Sequence, residues 1–148
     1  MTSLNICSGA DTWGDVKLDK HPQSPSVTKF NFNTNLKLPY ANSTFSEIRM
    51  HQCIQFMIYP QELLKECFRV LKPRGTIDVT TANASSLRYF FKPLGSAYSN
   101  KNKWSAEKIY QLNNLYTLKA SLTEAGFKIK EAKYYAFLSA GINVIGQR

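Results

Sequence analysis

Apolar positions change their period twice between Phe45 and Val79. Ser46 to His51 alternates as a strand does, and Leu63, Leu64, Cys67, Phe68 and Leu71 then recur at spacings of three and four. That spacing predicts an amphipathic helix over Pro60 to Leu71. Pro60 fits the first turn, where a missing N–H costs nothing. Gln61, Glu62, Lys65, Glu66 and Arg69 fill the opposite face, with positive charge toward the C-terminus, where the helix dipole favours it. Pro73 and Gly75 end the helix, and the β-branched run Thr76 to Thr81 predicts a strand immediately afterwards. Strand, helix and strand in this order make one right-handed parallel unit.

The same reading along the rest of the chain predicts strands at Leu4 to Cys7, Asp15 to Leu18 and Val27 to Phe32. A second helix follows at Leu115 to Ala125, where Leu115, Leu118, Leu122 and Ala125 share a side and Gly126 is a natural stop. Two final strands, Lys128 to Tyr135 and Ile142 to Gly146, meet around Gly141 and are expected to pair antiparallel. Neither an internal repeat nor a low-complexity tract interrupts this order.

Composition narrows the class. The chain has 148 residues, enough for one domain with a core, and it is 43% hydrophobic without a long apolar run. No transmembrane or signal segment is expected. Cys7, Cys53 and Cys67 show neither paired spacing nor a companion set of histidines, which argues against disulfides and against zinc or another metal, and favours a reducing cytoplasm. The net charge of +9 is uneven: residues 75–148 carry ten Lys or Arg against four acids, and residues 1–74 carry nine against six. Anionic partners would suit this balance, and so would an ordinary solvated basic surface.

Candidate chemistry begins at the first strand. Leu4 to Cys7 runs into Ser8-Gly9, where the absence of a Cβ lets a ligand approach the backbone. About ten residues later the second strand delivers Asp19. Ligands of doubly wound sheets lie beyond the carboxyl ends of the strands, and an acid there can accept hydrogen bonds from ribose hydroxyls. A nucleoside site fits these positions, and so do a turn glycine and a solvated cap. A nicotinamide site does not fit, because the triple-glycine fingerprint and the room for its helix are both missing.

Gly9, Asp19, Leu38-Pro-Tyr-Ala-Asn-Ser-Thr-Phe-Ser46, Leu63 through Gly75 (ending Arg-Val-Leu-Lys-Pro-Arg-Gly) and Ala125-Gly-Phe127 follow one another as in a known family. In order and spacing the chain resembles a class I S-adenosylmethionine-dependent methyltransferase of the methyltransferase-11 type. The resemblance implies a Rossmann-like α/β/α sandwich on a mostly parallel seven-stranded sheet, its last strand antiparallel, in a single domain over 1–148. It also implies S-adenosylmethionine as cofactor, with the methionine portion over Cys7, Ser8, Gly9 and Ala10 and the ribose on Asp19. The adenine amine would meet Asn31 or Asn33. His51 and Gln52, at the end of the fourth strand, would face both cofactor and acceptor.

Departures from the family pattern are informative. The glycine-rich loop is reduced to Cys7-Ser-Gly-Ala-Asp-Thr-Trp-Gly14, a shortening also found in relatives that resemble saccharide-tailoring enzymes. Trp13 would either cover the cofactor or shield the sheet. The aspartate expected after Phe45 is Ser46, and a pair of histidines expected after the fourth strand is replaced by Gln52 and Phe56. Methyl transfer from a sulfonium is an in-line displacement governed by positioning, with a base needed only for a poorly nucleophilic acceptor. His51 is the candidate catalytic base, because an unperturbed histidine titrates near neutrality, although a lone histidine is also a common structural residue. The first strand starts by about residue 4, so the usual preceding helix is missing. That predicts either an exposed apolar patch or a partner, a homodimer for instance, covering the trimmed face.

Residues 82–114 form an insert between strand and helix. Its segment from Ser85 to Trp104 interleaves Arg88, Lys92, Lys101 and Lys103 with Tyr89, Phe90, Phe91, Tyr98 and Trp104 and holds no acid. In related methyltransferases this region helps to form the acceptor pocket, so it is expected to be a substrate cap in which Arg88, Tyr89 and Lys92 contact the acceptor. The leading expectation is methyl transfer to a small, anionic or saccharide-type acceptor. Two rivals stand beside it: a catalytically degenerate binding or assembly module, and nucleic-acid binding through the basic insert.

Overall fold

A computed structural model describes residues 2–87 and 108–148. Seven strands form one sheet: β1 (Ser3–Ile6), β2 (Val16–Asp19), β3 (Thr28–Lys29), β4 (Phe45–His51), β5 (Leu71–Ala82), β6 (Lys128–Tyr135) and β7 (Gly141–Gln147). Their order is β3-β2-β1-β4-β5-β7-β6. β1 to β5 pair parallel, and β7 runs antiparallel to both β5 and β6. The Rossmann-like sheet is therefore the one expected. The predicted strand at Val27 to Phe32 shrinks to two residues, because Asn31 to Asn35 already turns on its own backbone bonds.

Among the described residues two α-helices pack on the sheet, α1 (Pro60–Val70) and α2 (Leu115–Glu124). Leu63, Leu64, Cys67 and Val70 of α1 are buried, as are Leu118 and Leu122 of α2. They join Leu4, Ile6, Ile48, Met50, Ile77, Val79, Ile142 and Val144 in one cluster, which places both helices on the same face. Asn114 caps α2 reciprocally with Thr117, a capping box that holds two otherwise unpaired N–H groups. Phe68 and Phe127 meet edge to face at 5.2 Å, joining α1 to the turn after α2.

The opposite face of the sheet has a different composition. Among the described residues no helix covers it, so the described part of the sandwich has one helical layer, and the residues alternating with the core are mostly polar: Asn5, Arg49, Asp78 and Asn143, flanked by Ser3, Glu47 and Thr76, with Ile145 among them.

Two motifs have clear structural work. The Arg69 guanidinium donates to the carbonyls of Leu38 and Tyr40 and to Asn42, and forms two 2.7 Å bonds with Glu66, whose carboxylate also accepts the Leu38 N–H. This clamp fixes the Leu-Pro-Tyr-Ala-Asn turn ahead of β4. In β5, Leu71 pairs with Phe45 and Thr76 with Glu47, so Lys72-Pro-Arg-Gly75 is an irregularity inside the strand. A Cβ on Gly75 would lie 2.8 Å from the Leu71 side chain and 2.9 Å from a carbonyl, so the bend requires glycine.

One expectation is overturned. Cys7 and Cys53 form a disulfide, their Cα atoms 5.9 Å apart and 46 residues apart in sequence, while Cys67 is buried and free. Sequence spacing could not reveal it, because β1 and β4 are neighbours only through the sheet order. The cysteines accordingly carry no argument for a reducing compartment. No helix among the described residues is long and apolar enough to cross a membrane.

Candidate functional site

The strand order reverses between β1 and β4, and a cavity of about 310 Å³ opens there at the carboxyl ends of the strands. Cys7 and Gly9 line it from β1, and Asp19, Lys20 and His21 from β2. Asn31, Phe32 and Asn33 contribute from beyond β3, and His51, Gln52, Phe56 and Met57 from β4 and the turn after it. Its volume falls within the roughly 300–1,000 Å³ of small-molecule sites.

Backbone hydrogen bonds build the rim. The Ser8 N–H donates to Leu18, and Gly9, at φ +54°, donates its N–H to Asp19 Oδ2 at 2.8 Å. The His21 N–H reaches Asp19 Oδ1 at 2.7 Å. Only 4% exposed, Asp19 is thus held by one donor on each oxygen. An ionised carboxylate offers about four acceptor positions, so it can still receive two hydroxyls. A Cβ on Gly9 would meet nothing within 4 Å, so the glycine leaves open space beside that carboxylate.

The two asparagines have different roles. Asn33 donates to the Phe56 carbonyl and accepts the Ile58 N–H, pinning the turn at Ile54–Phe56. Asn31 accepts the Asn33 N–H, and its amide lines the cavity. Ser8 and Ala10 do not line it: Ala10 is exposed, and Ser8 is 5% exposed with its hydroxyl unpartnered. Trp13 lies on the polar face beneath the Arg49 guanidinium, 4.1 Å from its ring centre, so of its two expected roles it has the sheet-shielding one. Asp11 anchors this short loop through Asn5, the Trp13 N–H and Arg49, and the Trp13 N–H bond foremost holds its carboxyl below the usual value.

His51 Nε2 lies 2.9 Å from Asp78 Oδ2, and Asn143 Nδ2 donates to Asp78 Oδ1. Burial alone would raise the Asp78 pKa. The hydrogen bond and charge of His51, with Asn143 and Arg49, outweigh burial and hold it below the ordinary value. Gln52 Nε2 donates to the Tyr135 hydroxyl at 2.6 Å. The Tyr135 ring lies so close over Gly141 that a Cβ there would run into it. Arg88, Tyr89 and Lys92 lie outside the described residues.

Asp78, Asn143, Tyr135, Lys20 and His21 escaped the sequence reading. Asp78 had left a signal: an acid between Ile77 and Val79 in a central strand must face away from the core, toward whatever shares the other face.

A family model described as a methyltransferase domain matches residues 4–79. The chain is similar to the ubiquinone/menaquinone biosynthesis C-methyltransferase UbiE of Neisseria gonorrhoeae, 29% identical over 124 residues, covering 72% of this chain and 47% of that protein. The chain thus spans about half the length of the curated relatives it matches. Among solved structures it resembles a methyltransferase of Archaeoglobus fulgidus described as SAM-dependent (TM-score 0.74, 13% identity, 99% of this chain and 85% of that one). It also resembles a possible histamine N-methyltransferase of Thermotoga maritima (TM-score 0.70, 19% identity, 99% and 81%). At these identities the structural likeness bears on the fold.

Proposed function

The chain belongs to the methyltransferase-domain family, and from that premise we propose that it transfers a methyl group from S-adenosylmethionine to a small acceptor, anionic or saccharide-type. The observation that carries this reading is the Gly9 N–H on the Asp19 carboxylate at the rim of the switch-point cavity. Gly9 and Asp19 would hold the methionine end and the ribose. Asn31 would face the adenine amine, since Asn33 is committed to the turn behind it, and Phe32, Phe56 and Met57 supply apolar wall. The unpartnered Ser8 hydroxyl, buried in the same loop, is a donor suited to a polar ligand. When bound, the cofactor supplies an electrophilic methyl group on a sulfonium.

His51 stands on the acceptor side as candidate base. Asn83 and Asn113 pair as an isolated bridge, which brings the ends of the 82–114 insert together beyond β5 and supports its reading as an acceptor cap. Isothermal titration with S-adenosylmethionine and S-adenosylhomocysteine tests the reading. Saturable heat with a raised melting temperature is expected, and no heat at millimolar ligand would retire it.

A second reading, an assembly module, draws on the polar face, which no helix covers among the described residues. Light scattering checks it: a stable dimer or hetero-complex favours that role, and a monomer that binds S-adenosylhomocysteine opposes it.

A further inference from the structure

We infer that Asp78 and Asn143 are positioning residues that hold the His51 imidazole with its proton on Nε2, leaving Nδ1 to accept a proton, so that the site serves an acceptor whose reacting atom must lose one. This inference rests on the proposed methyl transfer, because it assigns a purpose to a base in that same cavity.

Three adjacent strands make the arrangement. Asp78 of β5 is paired opposite Arg49 of β4 and Ile145 of β7, with His51 two residues beyond Arg49 and Asn143 two residues from Ile145. All four polar side chains therefore project on the face opposite the helices. An ionised carboxylate can only accept, so at 2.9 Å the hydrogen between His51 and Asp78 belongs to Nε2. The second carboxylate oxygen is taken by Asn143, which is 6% exposed and also approaches the Val79 carbonyl at 3.4 Å. Asp78 is thereby fixed from both sides, and a ring aimed by a fixed carboxylate keeps one tautomer and one orientation.

The chemistry follows from that tautomer. An amine or thiolate already carries a reactive electron pair, and a base adjacent to it adds little. A hydroxyl or an activated carbon must shed its proton as it attacks. That proton passes to Nδ1 while the acceptor's electron pair forms the bond to the methyl carbon. The electron pair of the broken carbon–sulfur bond remains on sulfur as a neutral thioether, and the new imidazolium is balanced by Asp78. Other charges face His51 as well: Asp11 and Arg49 on the same face, Lys133 of β6 through Asp78, and Asp19, Lys20 and His21 across the cavity.

Long-range proton–nitrogen NMR of the imidazoles tests this directly, because the chain holds only two histidines and His51→Gln assigns the pair. The full chain is measured with and without S-adenosylhomocysteine. Neutral His51 is expected as the Nε2–H tautomer, and Asp78→Asn, whose amide can donate as well as accept, is expected to let the Nδ1–H tautomer appear beside it. Asn143→Ala should do so to a smaller extent. A wild-type Nδ1–H tautomer, or an unchanged tautomer in a folded Asp78→Asn protein, overturns the inference. The wild-type tautomer decides the matter even where the variant does not fold. Calorimetry with S-adenosylhomocysteine separates the two claims: failure to bind sinks the cofactor reading, whereas binding together with the wrong tautomer sinks only this one.

Discussion

The two faces of the sheet are cut from the same strands, yet they do different work. Ile48 and Met50 of β4 and Ile77 and Val79 of β5 are fully buried under the helices, while Arg49, His51 and Asp78, their immediate neighbours, form a hydrogen-bonded and ion-paired layer on the other side. The period of two in a strand sends adjacent residues into opposite environments. One set stabilises the fold and the other carries the chemistry proposed above, so substitutions one residue apart should separate stability from function.

The largest expected effect is on the apolar face. Ile77→Ala should cost about 2–5 kcal/mol, read as a lower denaturant midpoint, whereas Asp78→Asn next to it should cost about 1 kcal/mol or less and act on His51 instead. Equal losses at the two positions would break the comparison.

Next comes the disulfide, which ties the ends of β1 and β4 beneath the cavity. Reduction, or Cys53→Ala, should lower stability by about 2–4 kcal/mol through the 46-residue span it closes. It should also weaken S-adenosylhomocysteine binding, because Cys7 lines the cavity. A melting temperature indifferent to reductant would count against the bond.

Asp19→Ala should weaken S-adenosylhomocysteine at least about tenfold, roughly 1.4 kcal/mol. Calorimetry alongside a circular-dichroism melt shows whether the loss is in the site or in the rim that Asp19 also holds.

A smaller effect concerns acid. The hydrogen bonds from Arg69, chiefly, hold the Glu66 carboxyl below its ordinary 4.5 against the opposing effect of burial. A depressed folded value means that stability is fully present above about 4.5 and is lost as pH falls through the lowered value. Asp78 adds to the same acid limb. Melting curves from pH 6 downward should fall less steeply in Glu66→Gln than in wild type, from a lower plateau. The smallest effect is expected for Tyr135→Phe, which removes the Gln52 bond but keeps the ring over Gly141, at about 0.5–1.5 kcal/mol.

Much of the apolar face was legible in sequence, because burial imposes periodicity. Pro60, Leu63, Leu64, Cys67 and Gly75 announced α1 and its return into the sheet, and the spacing of Gly9 to Asp19 located the rim. The polar face was legible only in fragments. Asp78 and Asn143 are single residues whose meaning depends on which strands lie side by side, and the Cys7–Cys53 bond and the resting place of Trp13 depend on the same order. Family resemblance supplied that order for the cofactor residues, but it had no motif for a loop as short as Cys7 to Gly14. There Gly9 and Asp19 line the cavity, whereas Ser8 and Ala10 are not among its lining residues.

A crystal of the chain soaked with S-adenosylhomocysteine tests the central claim most directly. The ribose hydroxyls should lie within hydrogen-bond distance of the Asp19 carboxylate, with the amino-acid end beside Gly9 and the adenine toward Asn31. Ligand bound elsewhere, or a cavity that stays closed to it at saturating concentration, would contradict the account.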